Sequence, residues 1–189
     1  VRKFTSSGEL LMTLGEADQP ADTGFILGET PVQYAGGPFN MVTNVAVAED
    51  GELFISDGYG NARVHRFSAD GKLLASWGGP GNGPGQFNLP HGIVVDRSGR
   101  VLVADRENSR IQFFSKDGEY LNSWDWVNRP DDLFLDEQEN LYIAELGWNI
   151  PFPHRPEFRL MDHPPMGHAP IARVTICDLD GNIQTQLGG

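Results

Sequence analysis

The sequence is short of cysteine, of basic charge and of long apolar runs, and each shortage excludes a class of protein. Cys177 is the only cysteine, so no internal disulfide can form and no cysteine cluster can hold zinc. Lys and Arg number 14 against 26 Asp and Glu, a formal charge of −12. With a pI near 4.7 the chain opposes phosphate backbones and anionic lipid, because non-specific nucleic-acid affinity comes from cationic side chains releasing counterions. Neither nucleic acid nor a membrane is an expected partner. No run reaches the roughly 18 apolar residues of a membrane-spanning helix, and Val1 to Leu11 is interrupted by charge and by Ser6-Ser7-Gly8, unlike a signal peptide. A hydrophobic content of 39% is that of a soluble, folded chain, and 189 residues suffice for one domain or part of a larger one.

What the chain has in excess is glycine (23) and proline (13), about a fifth of all residues, so long helices are not expected. Self-comparison shows why. Arg63 to Gly78 (RVHRFSADGKLLASWG) recurs as Arg110 to Trp124 (RIQFFSKDGEYLNSW) and as Arg173 to Gly188 (RVTICDLDGNIQTQLG), with another copy opening the chain at Val1. The aligned glycines Gly8, Gly71, Gly118 and Gly181 lie 63, 47 and 63 residues apart, so the base period is 47 and the longer intervals carry insertions. Each unit has a front half as well: Val42 to Gly58, Leu89 to Arg106 and Arg129 to Leu146. Runs such as Arg100-Val101-Leu102-Val103-Ala104-Asp105 alternate with period two and are separated by Asp-Gly or Ser-Gly turns, which predicts four short strands per unit. A four-stranded meander at this period is a β-propeller blade, whose faces are buried only against neighbouring blades.

The expected architecture is therefore all-β: a half-blade over 1–15, an insertion over 16–40, and blades over about 42–78, 89–124 and 129–188, the last interrupted by an insertion over 147–172. About three and a half blades do not close a ring, since propellers typically have at least four. The chain is thus expected to be part of a longer propeller, or one of two chains that assemble, with open blade edges available for self-association. Each insertion is either a functional lid or a solvated excursion.

The residues around these strands resemble a known family. Pro-His-Gly-Ile ahead of a first strand, Ala-Asp-Arg-Glu-Asn-Ser-Arg-Ile after a second and Asp-Gly before a fourth resemble the NHL-repeat propellers. More narrowly, SDGYGNARVHRF, then GPGQFNLPHGIVVD, then VADRENSRIQFF, within Gly37 to Trp124, resemble peptidyl-α-hydroxyglycine α-amidating lyase and its bacterial homologues. The resemblance implies a six-bladed propeller that cleaves a small peptidyl- or N-acyl-α-hydroxyglycine to an amide and glyoxylate. It also implies zinc on the axis, held by histidines of three alternate blades, and calcium elsewhere in the full-length protein. On this resemblance His91 is one of three zinc ligands, Tyr59 is the catalytic tyrosine and Arg106 the arginine beside it. The 189 residues alone are then expected to be inactive. Animal members carry a disulfide-bonded cysteine next to this tyrosine, where Gly60 stands here.

Breaking a carbinolamide requires a base for its hydroxyl and an electrophile for the developing oxyanion. A tyrosinate beside a guanidinium and a hydroxyl bound to zinc answer those needs. The positions equivalent to His91 in the flanking blades are Asn44 in VTNV, 47 residues before, and Asp131 in RPDD, 40 residues after. The loop from Asp57 to Arg63 is one residue longer than that from Asp105 to Arg110, which suggests a re-aimed Tyr59. The plainer readings are a rim histidine bonded to backbone, a turn tyrosine, and Asp/Arg ion pairs repeated around the rim, the reading preferred for Arg63 and Arg110. His154, His163 and His168, with Asp162, have spacings that fit no compact ligand motif and are read as a loop. Gly78 to Gly85 lacks the Lys-Ser/Thr of a phosphate loop and reads as an interblade turn. Two other functions remain: a non-catalytic NHL module that binds peptide or protein, and a calcium-dependent lactonase-type hydrolase built on Asn44 and Asp131.

Overall fold

The computed structural model describes residues 1–147 and 172–188. His154, Asp162, His163 and His168, read above as a loop, lie outside these residues. The described residues form fourteen strands in one two-stranded and three four-stranded sheets, all antiparallel meanders. The half-blade pairs β1 (Arg2–Phe4) with β2 (Leu10–Thr13). The first full blade is β3 (Val42–Val47), β4 (Leu53–Asp57), β5 (Arg63–Phe67) and β6 (Leu73–Trp77). The second is β7 (Pro90–Val95), β8 (Val101–Asp105), β9 (Arg110–Phe114) and β10 (Tyr120–Trp124). The third is β11 (Pro130–Leu135), β12 (Leu141–Glu145), β13 (Arg173–Cys177) and β14 (Ile183–Leu187). The architecture is an all-β propeller of about three and a half four-stranded blades.

The continuous apolar runs follow from burial on both faces of a blade. On β8, Val101 and Val103 pack with Phe54 and Val64 of the preceding blade, while Leu102 and Ala104 pack with Leu141 and Ile143 of the next. On β4, Leu53 and Ile55 face the half-blade, where Met12 and Leu14 lie, and Phe54 faces forward. Each such wholly buried large side chain stabilises the fold by about 1.5–3 kcal/mol. Cys177 is a core residue, and burial pushes its thiol up to about 11, which keeps it unreactive.

The repeat glycines are explained by two constraints acting together. Gly71, Gly118 and Gly181 all have φ near +90° in the turn before the outermost strand. A Cβ on Gly118 would lie 2.5 Å from Trp77, so the turn also seats the aromatic ring of the preceding blade.

A second repeated device uses buried acids. At the end of each blade's second strand a carboxylate accepts the backbone N–H of an asparagine seventeen residues earlier: Asn40 to Asp57 at 2.9 Å, Asn88 to Asp105 at 2.7 Å and Asn128 to Glu145 at 2.7 Å. In the second and third blades the arginine that opens the third strand completes the site, Arg110 to Asp105 and Arg173 to Glu145, each at 2.7 Å. Asp105 has no solvent exposure; burial pushes its carboxyl up to about 6, against the pull of Arg110 and of hydrogen bonds from Asn108 and Asn88. Arg110 also clamps the 78–85 turn through the carbonyls of Asn82 and Gly83.

The first blade departs from this pattern and corrects the ion-pair reading of Arg63. Its guanidinium donates to the carbonyls of Gly36 and Ser76, while Asp57 is held instead by Asn61 at 2.9 Å and His65 at 3.3 Å. The Arg63 Nε is buried with no partner among the described residues.

Two outcomes test this account. Asp105→Ala removes the charge partner of Arg110 and an acceptor from three uncharged donors, and should cost about 3–5 kcal/mol in denaturant unfolding; a loss below about 1 kcal/mol would show that the acid is not a keystone. Asp96 caps the β7–β8 turn. Burial alone would raise its carboxyl, but hydrogen bonds from Ser98 and Arg100 and the Arg100 charge hold it below the usual value. Its stabilisation is therefore present above the unfolded-state value and lost as pH falls through the lower, folded-state value. Between about pH 6 and about pH 2 the wild type should lose more stability in urea unfolding than Asp96→Asn.

Candidate active site

The three site residues named from the sequence come together on one rim of the propeller. Tyr59 lies in the β4–β5 turn and Arg106 opens the β8–β9 turn, in equivalent slots of adjacent blades. In each case the residue's N–H reaches the carbonyl just before a first strand, Met41 for Tyr59 and Leu89 for Arg106, both at 3.3 Å. The register identifies the extra residue of the longer loop as Gly58. A Cβ there would fall 2.0 Å from the Pro90 carbonyl, so only glycine permits this close approach to the next blade. That approach carries Tyr59 to His91, with the hydroxyl 3.3 Å from Nε2 and the rings edge to face at 5.6 Å.

His91 is the second residue of β7, in the register shift between Pro90 and Ile93, which turns its ring to the rim. Its Nδ1 lies 2.8 Å from the Asp131 carbonyl, an acceptor only, so Nδ1 carries the proton and Nε2 presents its lone pair. The Tyr59 hydroxyl then donates to Nε2. Burial lowers the His91 pKa and outweighs the Asp131 charge that would raise it; the ring is neutral at pH 7.

Arg106 is only 6% exposed. Its Nε donates to Glu107 at 2.9 Å and its Nη1 to Asp131 at 3.1 Å, with the Tyr59 hydroxyl 3.5 Å from the same nitrogen. Burial opposes its charge, but Glu107, Tyr59 and Asp131 together raise its pKa, so the guanidinium stays fully charged. Arg129 reaches the other side of this group through Glu107 at 2.8 Å. Glu107 is not among the residues named from the sequence, and Asp131 is named there only as the counterpart of His91 and for the lactonase alternative. Asp131 touches both His91 and Arg106, and its signal in the sequence was the repeat alignment alone.

That alignment is itself corrected by the register. Val42, Pro90 and Pro130 pair with Asp57, Asp105 and Glu145 respectively, so the position equivalent to His91 in the preceding blade is Thr43, not Asn44. The one-residue error arises from Gly58. Thr43 bonds the carbonyls of Ser56 and Pro90, while Asn44 reaches Asp132 at 2.7 Å. Asp131 keeps its assigned equivalence.

The donor set partly fits a zinc ion. A neutral imidazole whose Nδ1 is tied to a carbonyl is a metal ligand of the right type, and its Nε2 lone pair, which here accepts the Tyr59 hydroxyl, would have to exchange that hydrogen bond for the metal. No group of three or more His, Cys, Asp or Glu placed to hold a metal exists among the described residues. His91 can therefore supply one ligand.

Comparison with known proteins now defines the class. The NHL repeat family matches residues 87–114. Mouse NHL repeat-containing protein 3 is 41% identical over 128 residues, covering 66% of this chain and 34% of that protein. Peptidyl-alpha-hydroxyglycine alpha-amidating lyase 1 of Drosophila melanogaster is 30% identical over 170 residues, covering 83% of this chain and 28% of that protein. The crystal structure of virginiamycin B lyase from Staphylococcus aureus superposes with a TM-score of 0.51 at 14% identity, over 98% of this chain and 61% of that one, a likeness of fold alone. The chain is a β-propeller whose residues 87–114 match the NHL repeat. Within that class it resembles peptidyl-α-hydroxyglycine α-amidating lyase, and it spans about a third or less of the length of these curated relatives.

The tautomer is directly testable. In the metal-free protein at neutral pH, ¹⁵N chemical shifts of the His91 ring should report a protonated Nδ1 and an unprotonated Nε2; the reverse would contradict the contact with Asp131.

Proposed function

We propose that this chain contributes part of the active site of a peptidyl-α-hydroxyglycine α-amidating lyase-like propeller, acting on a small peptidyl- or N-acyl-α-hydroxyglycine. The observation that carries the reading is the meeting of Tyr59, His91 and Arg106, drawn from two blades, within 3.3–3.5 Å of one phenolic oxygen. In the reaction the carbinol hydroxyl loses its proton, the C–N bond breaks with its electron pair moving to nitrogen, and that nitrogen gains a proton. The products are a primary amide and glyoxylate. As the tyrosinate, its own proton having first left to solvent, Tyr59 would take the carbinol proton and return it to the departing nitrogen. Arg106, held by Glu107 and Asp131, stabilises negative charge on the tyrosine oxygen. Its Nε and Nη1 are already engaged, so steering the substrate carboxylate is its lesser role. His91 would hold zinc through Nε2, and the metal when bound supplies a Lewis acid for the hydroxyl oxygen. The histidines that complete its coordination, and any calcium, would come from outside the described residues, and the 189-residue segment tested by itself should turn over little.

A second reading is a non-catalytic NHL module that binds peptide or protein on this rim. It is favoured by the 41% identity to a relative named only for its repeats.

The two are separated by assaying zinc content and glyoxylate release from α-hydroxyhippurate on the intact protein. On the lyase reading Tyr59→Phe should lower turnover about 10²–10⁴-fold, the usual weight of a general base, and His91→Ala should lose zinc. Undiminished turnover in both variants would reject these roles. An intact protein that binds peptide without releasing glyoxylate would support the module.

A further inference from the structure

The 16–40 insertion, which the sequence left open between lid and excursion, is bound to the turn that carries Tyr59. That turn has glycine on both sides of the tyrosine, Gly58 and Gly60, so its backbone freedom must be removed from outside. The insertion does so at both polar groups of Gly60. The Thr23 hydroxyl donates to the Gly60 carbonyl at 2.6 Å, and the Asn40 carbonyl accepts the Gly60 N–H at 3.0 Å.

Thr23 is built in rather than incidental. It is 1% exposed, and its oxygen accepts from the Asn40 amide at 3.3 Å and the Phe25 N–H at 3.4 Å. A Cβ on Gly36 would come within 2.7 Å of its methyl group, so the insertion packs tightly around Thr23, and one on Gly60 would fall 2.2 Å from the Asn40 side chain, so insertion and turn are in close contact. The Asn61 side chain extends the seam, accepting from the Gly36 N–H at 3.2 Å and donating to the Gly37 carbonyl at 3.1 Å. The insertion in turn is anchored by Val32 and Phe25, which pack on the core formed by Phe54, Val64 and Phe87.

We propose that Thr23 is a positioning residue: its hydroxyl, donated to the Gly60 carbonyl, fixes the turn that aims Tyr59 at His91 and Arg106, and so makes the 16–40 insertion a working part of the rim site. Its consequence for turnover rests on the lyase reading; its consequence for the turn does not. Displacing a reacting group by about 1 Å is enough to cost up to about a hundredfold in rate.

The test compares Thr23→Val, which keeps the volume and removes the donor, with Thr23→Ser, which keeps the donor, both in the intact protein. Amide hydrogen exchange at Tyr59 and Gly60 should quicken by about tenfold or more in Thr23→Val, with exchange in β8 unchanged, and return to the wild-type rate in Thr23→Ser. If the wild type releases glyoxylate, kcat should fall by about tenfold or more in Thr23→Val with KM within about twofold, and recover in Thr23→Ser. Should Thr23→Val not fold, Thr23→Ala serves for the same comparison. Unchanged exchange at Tyr59 and Gly60 in a folded variant lacking the hydroxyl overturns the proposal, as does a Thr23→Ser variant as perturbed as Thr23→Val. Faster exchange at the turn in a protein that releases no glyoxylate upholds the positioning role and rejects the lyase reading instead.

Discussion

The buried carboxylate at the end of each blade's second strand is the contact on which the rest of the rim depends. Asp57, Asp105 and Glu145 sit where three chain segments meet: the loop entering the blade, the second strand and the turn to the third. A buried acid has to be surrounded by donors, because leaving its charge unpaired is far more costly than forming those contacts is favourable. Satisfying Asp105 therefore fixes Asn88, Asn108, Arg110 and Gln112, and through Arg110 the interblade turn as well. The hydrophobic faces set which blade packs on which. The acids set where each rim loop begins.

The candidate site arises where this device is modified. In the first full blade Gly58 lengthens the turn, Arg63 no longer meets the acid, and His65 and Asn61 take its place around Asp57. The acid stays satisfied, so the blade keeps its packing, while the slot filled by Arg106 in the next blade is filled here by Tyr59 and moved toward His91. A repeat protein can acquire a site in this way without altering its core, since only the turn and its donors change.

Electrostatics of the site differ from those of the chain as a whole. A net charge of −12 describes the surface. At the rim, Arg106 and Arg129 share Glu107, and Asp131 joins Arg106 to the neutral His91, so two cations and two carboxylates alternate beside the imidazole. In so acidic a chain, an arginine such as Arg106 would by composition alone suggest an open cation for an anionic ligand. Its burial and pairing make it first a partner of the tyrosine oxygen, because two of its nitrogens are committed within the protein.

The sequence by itself determined the blade. Alternation, the Asp-Gly turns and the spacing of Gly71, Gly118 and Gly181 all express local rules, period two and positive φ, that recur in every copy and can be read without coordinates. The motifs around Tyr59, His91 and Arg106 were legible for the same reason, as departures from a repeated background. What only the tertiary structure decided was relative placement. It showed that Thr43 rather than Asn44 is the counterpart of His91, that Asp131 touches both His91 and Arg106, that Arg63 bonds carbonyls, and that Thr23 reaches Gly60 across 37 residues. The physical reason is that register depends on single-residue offsets, and one inserted glycine shifts the assignment counted across it. A hydrogen bond between distant segments leaves no period in the sequence to be counted at all.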